Sequence, residues 1–201
     1  MHFFIFNISF ASHIIFLLDR STSMKINDRK DVSKFTVLYI MKEIAYLNDT
    51  LDNTPENKIS LITFSDDAKI IGNSVSTIDE VENLYKLPDL DIKSNQNTEL
   101  YGAIQKIYKI VRETSDNKYY VVVLTDGIPD PVISSNNKFL KSAIGENKLM
   151  RLVEIKNKYG YEKISLRDLM SKNISNDEKI ILRNAINEYI SKIKENVRDI
   201  K

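Results

Sequence analysis

Apolar positions along this chain alternate between two periods. Residues 13–19, HIIFLLD, are a continuous apolar run closed by a carboxylate, the pattern of a strand buried on both faces of a parallel sheet. Residues 29–47 predict a helix with Val32, Phe35, Leu38, Tyr39, Ile44 and Leu47 mostly on one side. KISLITFS (58–65) predicts a second buried strand and AKIIGN (68–73) a short edge strand. Thr77 and Glu80 have the spacing of a capping box ahead of a short helix. From Thr98 onward, Leu100, Ala103, Ile104, Ile107, Tyr108 and Val111 keep the i, i+3, i+4, i+7 spacing of a helix. KYYVVVLTDG (118–127), β-branched and aromatic, is the strongest strand signal and is expected at the centre of the sheet. KFLKSAIG (138–145) reads as a further strand, followed by a helix over 146–158 and a weak strand near 161–165. Ser175 and Glu178 form a second capping box, opening a last helix whose stripe is Leu182, Ala185, Ile186, Tyr189, Ile190, Ile193 and Val197.

Strand–helix alternation predicts an α/β fold with a mostly parallel sheet covered on both faces. In such sheets ligands bind beyond the carboxyl ends of the strands. The chain has 201 residues, read as one domain spanning 1–201, with its core over 12–198. Residues 1–18 are largely apolar, and FAS at 10–12 imitates a signal cleavage site. No Lys or Arg precedes the apolar run, however, and Asn7, Ser9, Ser12 and His13 interrupt it. Two short strands, 2–8 and 12–18, are expected there, with a signal peptide as the alternative and no membrane span.

Composition narrows the chemistry. Cysteine is absent, which excludes disulfides, zinc–thiolate sites and thiol nucleophiles and leans toward a reducing compartment. His2 and His13 are the only histidines. Net charge is +1, with eleven acidic groups against four lysines over residues 49–99, read as solvated faces. No basic patch interleaved with aromatics points to nucleic acid.

Asp19 and Asp126 each follow a predicted strand, so both carboxylates are expected at the ligand-binding rim. Ser21 and Ser23 alternate with Asp19, and Thr98 opens a helix out of the polar loop KSNQNT. Two carboxylates and three hydroxyls form an oxygen-only donor set. It lacks the sulfur or imidazole that zinc and copper prefer, and has too few carboxylates for a tight calcium cage. It suits octahedral Mg²⁺, or Mn²⁺, which take a few protein oxygens at about 2.0–2.1 Å and retain other ligands.

FLLDRSTSM, NTELYGAI and VVVLTDG together resemble the von Willebrand factor type A domain with its metal-ion-dependent adhesion site. ISLITFSDDAKI resembles the family's second strand and following edge strand, and AIGENKLMRLVEI its fifth strand and sixth helix. The likeness runs over about residues 12–195. It implies a Rossmann-like, doubly wound sheet with one short antiparallel edge strand. It also implies that Asp19, Ser21, Ser23, Thr98 and Asp126 are metal ligands, Ser21 and Ser23 direct, Thr98 and Asp126 exchanging direct and water-mediated contact. A protein partner's Asp or Glu would complete the coordination. Standing alone, without cysteine or a convincing export signal, the chain resembles the family's cytoplasmic bacterial members, including those of tellurite-resistance and stress-response clusters, and a cytoplasmic location is expected; an exported adhesin is the alternative. Two departures stand out: Thr22 occupies a position where the family usually has glycine, and 128–142 shows two prolines and little helical pattern where a full helix is usual.

Plainer readings compete at each position. Ser21 and Ser23 could cap the next helix, Asp126 could serve a turn, and Asp66 and Asp67 read as solvated turn residues. An enzyme is the rival class, since an aspartate after a strand with Mg²⁺ also describes phosphohydrolases of the haloacid-dehalogenase type. Those want a second aspartate where this chain has Ser21. No Gly-rich phosphate loop is present, no Ser–His pair is expected, and no catalytic residue is assigned.

Overall fold

A computed structural model describes residues 12–51, 56–92, 96–114, 116 and 118–199, so the strand expected over 2–8 lies outside the described residues. Four strands form one sheet: β1 (His13–Asp19), β2 (Lys58–Phe64), β3 (Ala68–Val75) and β4 (Tyr119–Leu124), in the order β3-β2-β1-β4. β1 runs parallel to β2 and β4, whereas β3 is antiparallel to β2. This is the α/β architecture that the alternation predicts. Asp19, last in β1, pairs with Phe64, last in β2, so those two strands end level.

Alternate β1 residues feed two cores. Ile14, Phe16 and Leu18 join Ile59 and Leu61 against α2 (Val32–Thr50) and α3 (Ile78–Leu84). Ile15 and Leu17 join Ile62 and Phe64 against α4 (Leu100–Glu113). Each such side chain contributes about 1.5–3 kcal/mol when fully buried, which explains the unbroken apolar run of β1. α4 also turns Tyr101 and Ile104 outward into a third core. That core is built with α5 (Lys138–Ile144), α6 (Glu146–Lys158), α7 (Leu166–Ser171) and α8 (Asn176–Asp199). A short helix, α1 (Met24–Asn27), follows β1 directly. Among the described residues no helix is long and apolar enough to cross a membrane.

Both capping boxes form: Thr77 with Glu80 at α3, and Ser175 with Glu178 ahead of α8. Elsewhere four expectations need correction. KFLKSAIG is helical: Asn137 Oδ1 accepts from the amides of Phe139 and Leu140, and Leu140 and Ile144, four apart, share the buried face. The weak strand at 161–165 reduces to one bridge between Val132 and Ser165, and Ser165 caps α7 instead. α2 buries Val37, Leu38, Met41 and Ala45, while Val32, Phe35, Tyr39 and Leu47 are exposed. The expected stripe mixed two helical faces. Finally, β4 is last, not central, in the order of the described strands, pairing among the described residues with β1 alone, and the chain beyond it becomes helical.

Candidate metal centre

The carboxyl end of β1 delivers Asp19 into a fully buried position. The Ser21 amide donates to Asp19 Oδ1 at 2.8 Å, and Thr125 Oγ1 donates to Oδ2 at 2.6 Å. Burial pushes the Asp19 carboxyl above its ordinary range, against the pull of the Ser21 and Thr125 hydrogen bonds. The next residue, Arg20, is not its counter-ion, because its guanidinium forms a bidentate pair with Asp31 at 2.7 and 2.9 Å.

From Asp19 the oxygens run in series. Ser21 Oγ lies 3.0 Å from Ser23 Oγ, and Ser23 Oγ donates to Asp126 Oδ1 at 2.9 Å. Ser23 occupies the N-cap position of α1 but makes no side-chain cap, so its hydroxyl serves the cluster and not the helix. Likewise Asp126 accepts from Ser23 and from Asn27 Nδ2, at 2.5 Å, and not from its own turn, which Thr125 closes by accepting from the Gly127 amide.

Thr98 enters from the opposite loop. It precedes α4 by two residues and does not open the helix itself; its carbonyl accepts from the Asp130 amide at 3.0 Å. Gly127 is the meeting point. A β-carbon there would lie 3.2 Å from Thr98 Oγ1, 3.7 Å from Ser23 Oγ and 3.8 Å from Asp19 Oδ2. The missing side chain therefore leaves a cradle faced by three of the five expected ligands, and the hydrogen-bond series brings in Ser21 and Asp126.

Thr22 ties the two loops together, accepting from the Gln96 amide through Oγ1 at 2.8 Å and donating its own amide to the Gln96 carbonyl at 3.0 Å. The threonine in place of glycine thus fastens the Ser21–Ser23 turn. Asp66 is a turn residue as expected, accepting from the Asn97 amide at 2.7 Å and pairing with Lys163. Beside Thr98, Glu99 is buried and accepts from the Tyr189 hydroxyl and from Asn137 Nδ2. Burial raises its carboxyl to about 7, with those hydrogen bonds opposing.

Four contributors were not read from the sequence. Asn27 sits four residues after Ser23, a helical spacing that could have flagged it, and Thr125 and Gly127 flank Asp126. Gln96 had no local signal, since its role depends on a loop contact 74 residues away. The structure also holds a Ser–His–Asp chain where no Ser–His pair was expected. His13 Nε2 lies 2.7 Å from Ser60 Oγ and Nδ1 lies 2.9 Å from Asp116. His13 and Ser60 are fully buried at the amino-terminal end of β1 and β2, opposite the oxygen cluster, where the chain of hydrogen bonds ties the strands together. Among the described residues no group of three or more His, Cys, Asp and Glu gathers, so any cation here must be held largely by neutral oxygens.

Comparison with known proteins follows the same lines. No curated protein matches the chain. Among solved structures, the vWF domain of the type V pili tip protein Mfa5 from Porphyromonas gingivalis is similar with a TM-score of 0.50 at 11% identity, over 61% of this chain and 40% of that one. The PilB minor pilin from Streptococcus sanguinis follows at 0.48 and 20% identity, over 62% and 32%. Proximal thread matrix protein 1 from the mussel byssus gives 0.46 and 18%, over 60% and 30%. This chain therefore spans less than half the length of each. The family model of the von Willebrand factor type A domain matches residues 14–128, the span that carries the sheet, α4 and every residue of the oxygen cluster. With more than half of its length in that match, the chain belongs to the von Willebrand factor type A domain family.

Proposed function

We propose that this protein is a metal-dependent protein-binding module in which Asp19, Ser21, Ser23, Thr98 and Asp126 hold a divalent cation, Mg²⁺ or in its place Mn²⁺, that captures a carboxylate of a protein partner. The observation that carries the reading is the cradle at Gly127, where oxygens from the end of β1 and its following turn meet one from the loop before α4, and where Ser23 links them to Asp126 beyond β4. The donor set is hard and all-oxygen, with a formal charge of −2 from its two carboxylates, so it fits such a cation without neutralising it fully. When bound, the cation supplies a positive centre that an Asp or Glu side chain can join.

The chain's own residues prepare that centre. The Ser21 amide and the Thr125 hydroxyl hold the two Asp19 oxygens, while Asn27 and Ser23 hold Asp126 in the exposed outer half of the site. A buried anion with no side-chain cation on it favours an incoming metal, because burial disfavours its charge until one is supplied. Titration calorimetry tests the assignment: Asp19→Ala should abolish Mg²⁺ binding, and equal Mg²⁺ affinity in wild type and variant would end it.

A further inference from the structure

We propose that the outer face of α2 is the interface of a homodimer, in which two copies of this chain pack α2 against α2 in antiparallel orientation about a two-fold axis. α2 is apolar on both sides. Val37, Leu38, Met41 and Ala45 pack toward the sheet. On the opposite side Val32, Phe35, Tyr39, Ile40, Tyr46 and Leu47 are each between 39% and 58% exposed. With 3.6 residues per turn these six fall within an arc of about 140°, which they share only with Thr36, Glu43 and Thr50. A helix that is apolar all round is ordinarily buried all round. The six side chains expose roughly 700 Å² in each copy, more than the largest apolar patch of a typical monomer and close to what each partner buries in a standard interface, about 800 Å².

Charge selects a second copy in one orientation. Arg29 and Lys30 are exposed just before the first turn of α2, whereas Glu43 and Asp49 are exposed in its second half. A parallel pair would set like charges beside each other. An antiparallel pair brings the basic turn of each copy to the acidic end of the other and opposes the two helix dipoles. With Tyr39 on the axis, the Arg29–Lys30 turn meets the partner's Asp49, Val32 meets the partner's Tyr46, and Glu43 lies opposite the partner's Phe35, clear of its own copy. Three aromatics then hold the centre, and the Lys42–Glu82 ion pair lies at the margin, the usual make-up of an interface. Asp31 at the start of α2 pairs with Arg20 beside the oxygen cluster, while Asn48 near its end donates to the carbonyls of Asn57 and Ser76, at the far end of the sheet. α2 thus runs opposite to β1, and the antiparallel dimer carries its two oxygen clusters at opposite ends.

The test uses the full chain in EDTA, so its outcome is independent of the function proposed above. Analytical ultracentrifugation at micromolar concentration should give twice the chain mass. Phe35→Lys/Tyr39→Lys, both outward-facing, should weaken self-association about 100-fold or more while the far-UV circular dichroism spectrum stays that of the wild type. The protein has no cysteine, so single cysteines report the geometry cleanly. Tyr39→Cys should oxidise to a disulfide-linked dimer. Val32→Cys and Tyr46→Cys should each stay unlinked alone and join when mixed, and Arg183→Cys on α8, as the control, should stay unlinked. A wild type that sediments as one chain would overturn the proposal, whether the face is covered within the chain or by a different protein. So would a dimer that Phe35→Lys/Tyr39→Lys leaves unchanged. Val32→Cys linking to its own copy, as a parallel pair requires, would overturn it too.

Discussion

A methyl group at residue 127 would stand 3.2 Å from Thr98 Oγ1, a few tenths of an ångström closer than side chains comfortably allow. Gly127 does not use left-handed backbone, so alanine fits its conformation and intrudes only on the cradle. Gly127→Ala should therefore weaken Mg²⁺ binding by about tenfold or more, about 1.4 kcal/mol, with little change in melting temperature. Calorimetry beside thermal denaturation checks this, and unchanged affinity would move the metal elsewhere. Glu99 offers a second test at one residue. Its carboxyl titrates at about 7 when folded against 4.5 as the ordinary value, so the folded state holds the proton more tightly. That contribution is complete below about pH 4.5 and is lost as pH rises through 7, by up to about 3 kcal/mol. In EDTA, wild type should lose stability relative to Glu99→Gln across that window; parallel pH profiles would contradict the assignment.

Helix α5 shows how a single cap can decide an element. Asn137 accepts from two amides of its first turn and also donates to the Val132 carbonyl and to Glu99. Asn137→Ala should cost about 2 kcal/mol, a cap plus partners left unsatisfied. Ser175→Ala at the exposed capping box of α8 should cost nearer 1 kcal/mol. Denaturant unfolding of the two variants measures the difference, and equal losses would show that Asn137 acts only as a cap. The same residue explains why KFLKSAIG was misread. Two apolar pairs, Phe139–Leu140 and Ala143–Ile144, look like a short buried strand until the cap before them is weighed. By contrast, β1, β2, β3 and α4 were legible, because long runs and regular periods report burial directly. Asp19, Ser21, Ser23, Thr98 and Asp126 could be picked out as candidates because each lies at, or within two residues of, the end of an element. Asn27 and Gln96 were not, since their partners are fixed by the packing of distant loops.

The three apolar cores are filled by side chains of the sheet and its helices, and their packing needs no cation. Removing metal should leave a cooperatively folded protein, and saturation at one hundred times the dissociation constant should add about 2.7 kcal/mol, or about 5–10 °C in melting temperature. A thermal scan with and without EDTA reads this directly; loss of the cooperative transition in EDTA would make the ion structural.

β1 lies between two parallel neighbours, with seven paired positions toward β2 and six toward β4, and its last residue is Asp19. A force applied at that end along the strand axis meets a paired neighbour on either side. The ladders on both sides then take the load together in shear, instead of opening one bond at a time as a hairpin does when peeled from its end. The candidate site thus lies at the end of the sheet's mechanically strong axis.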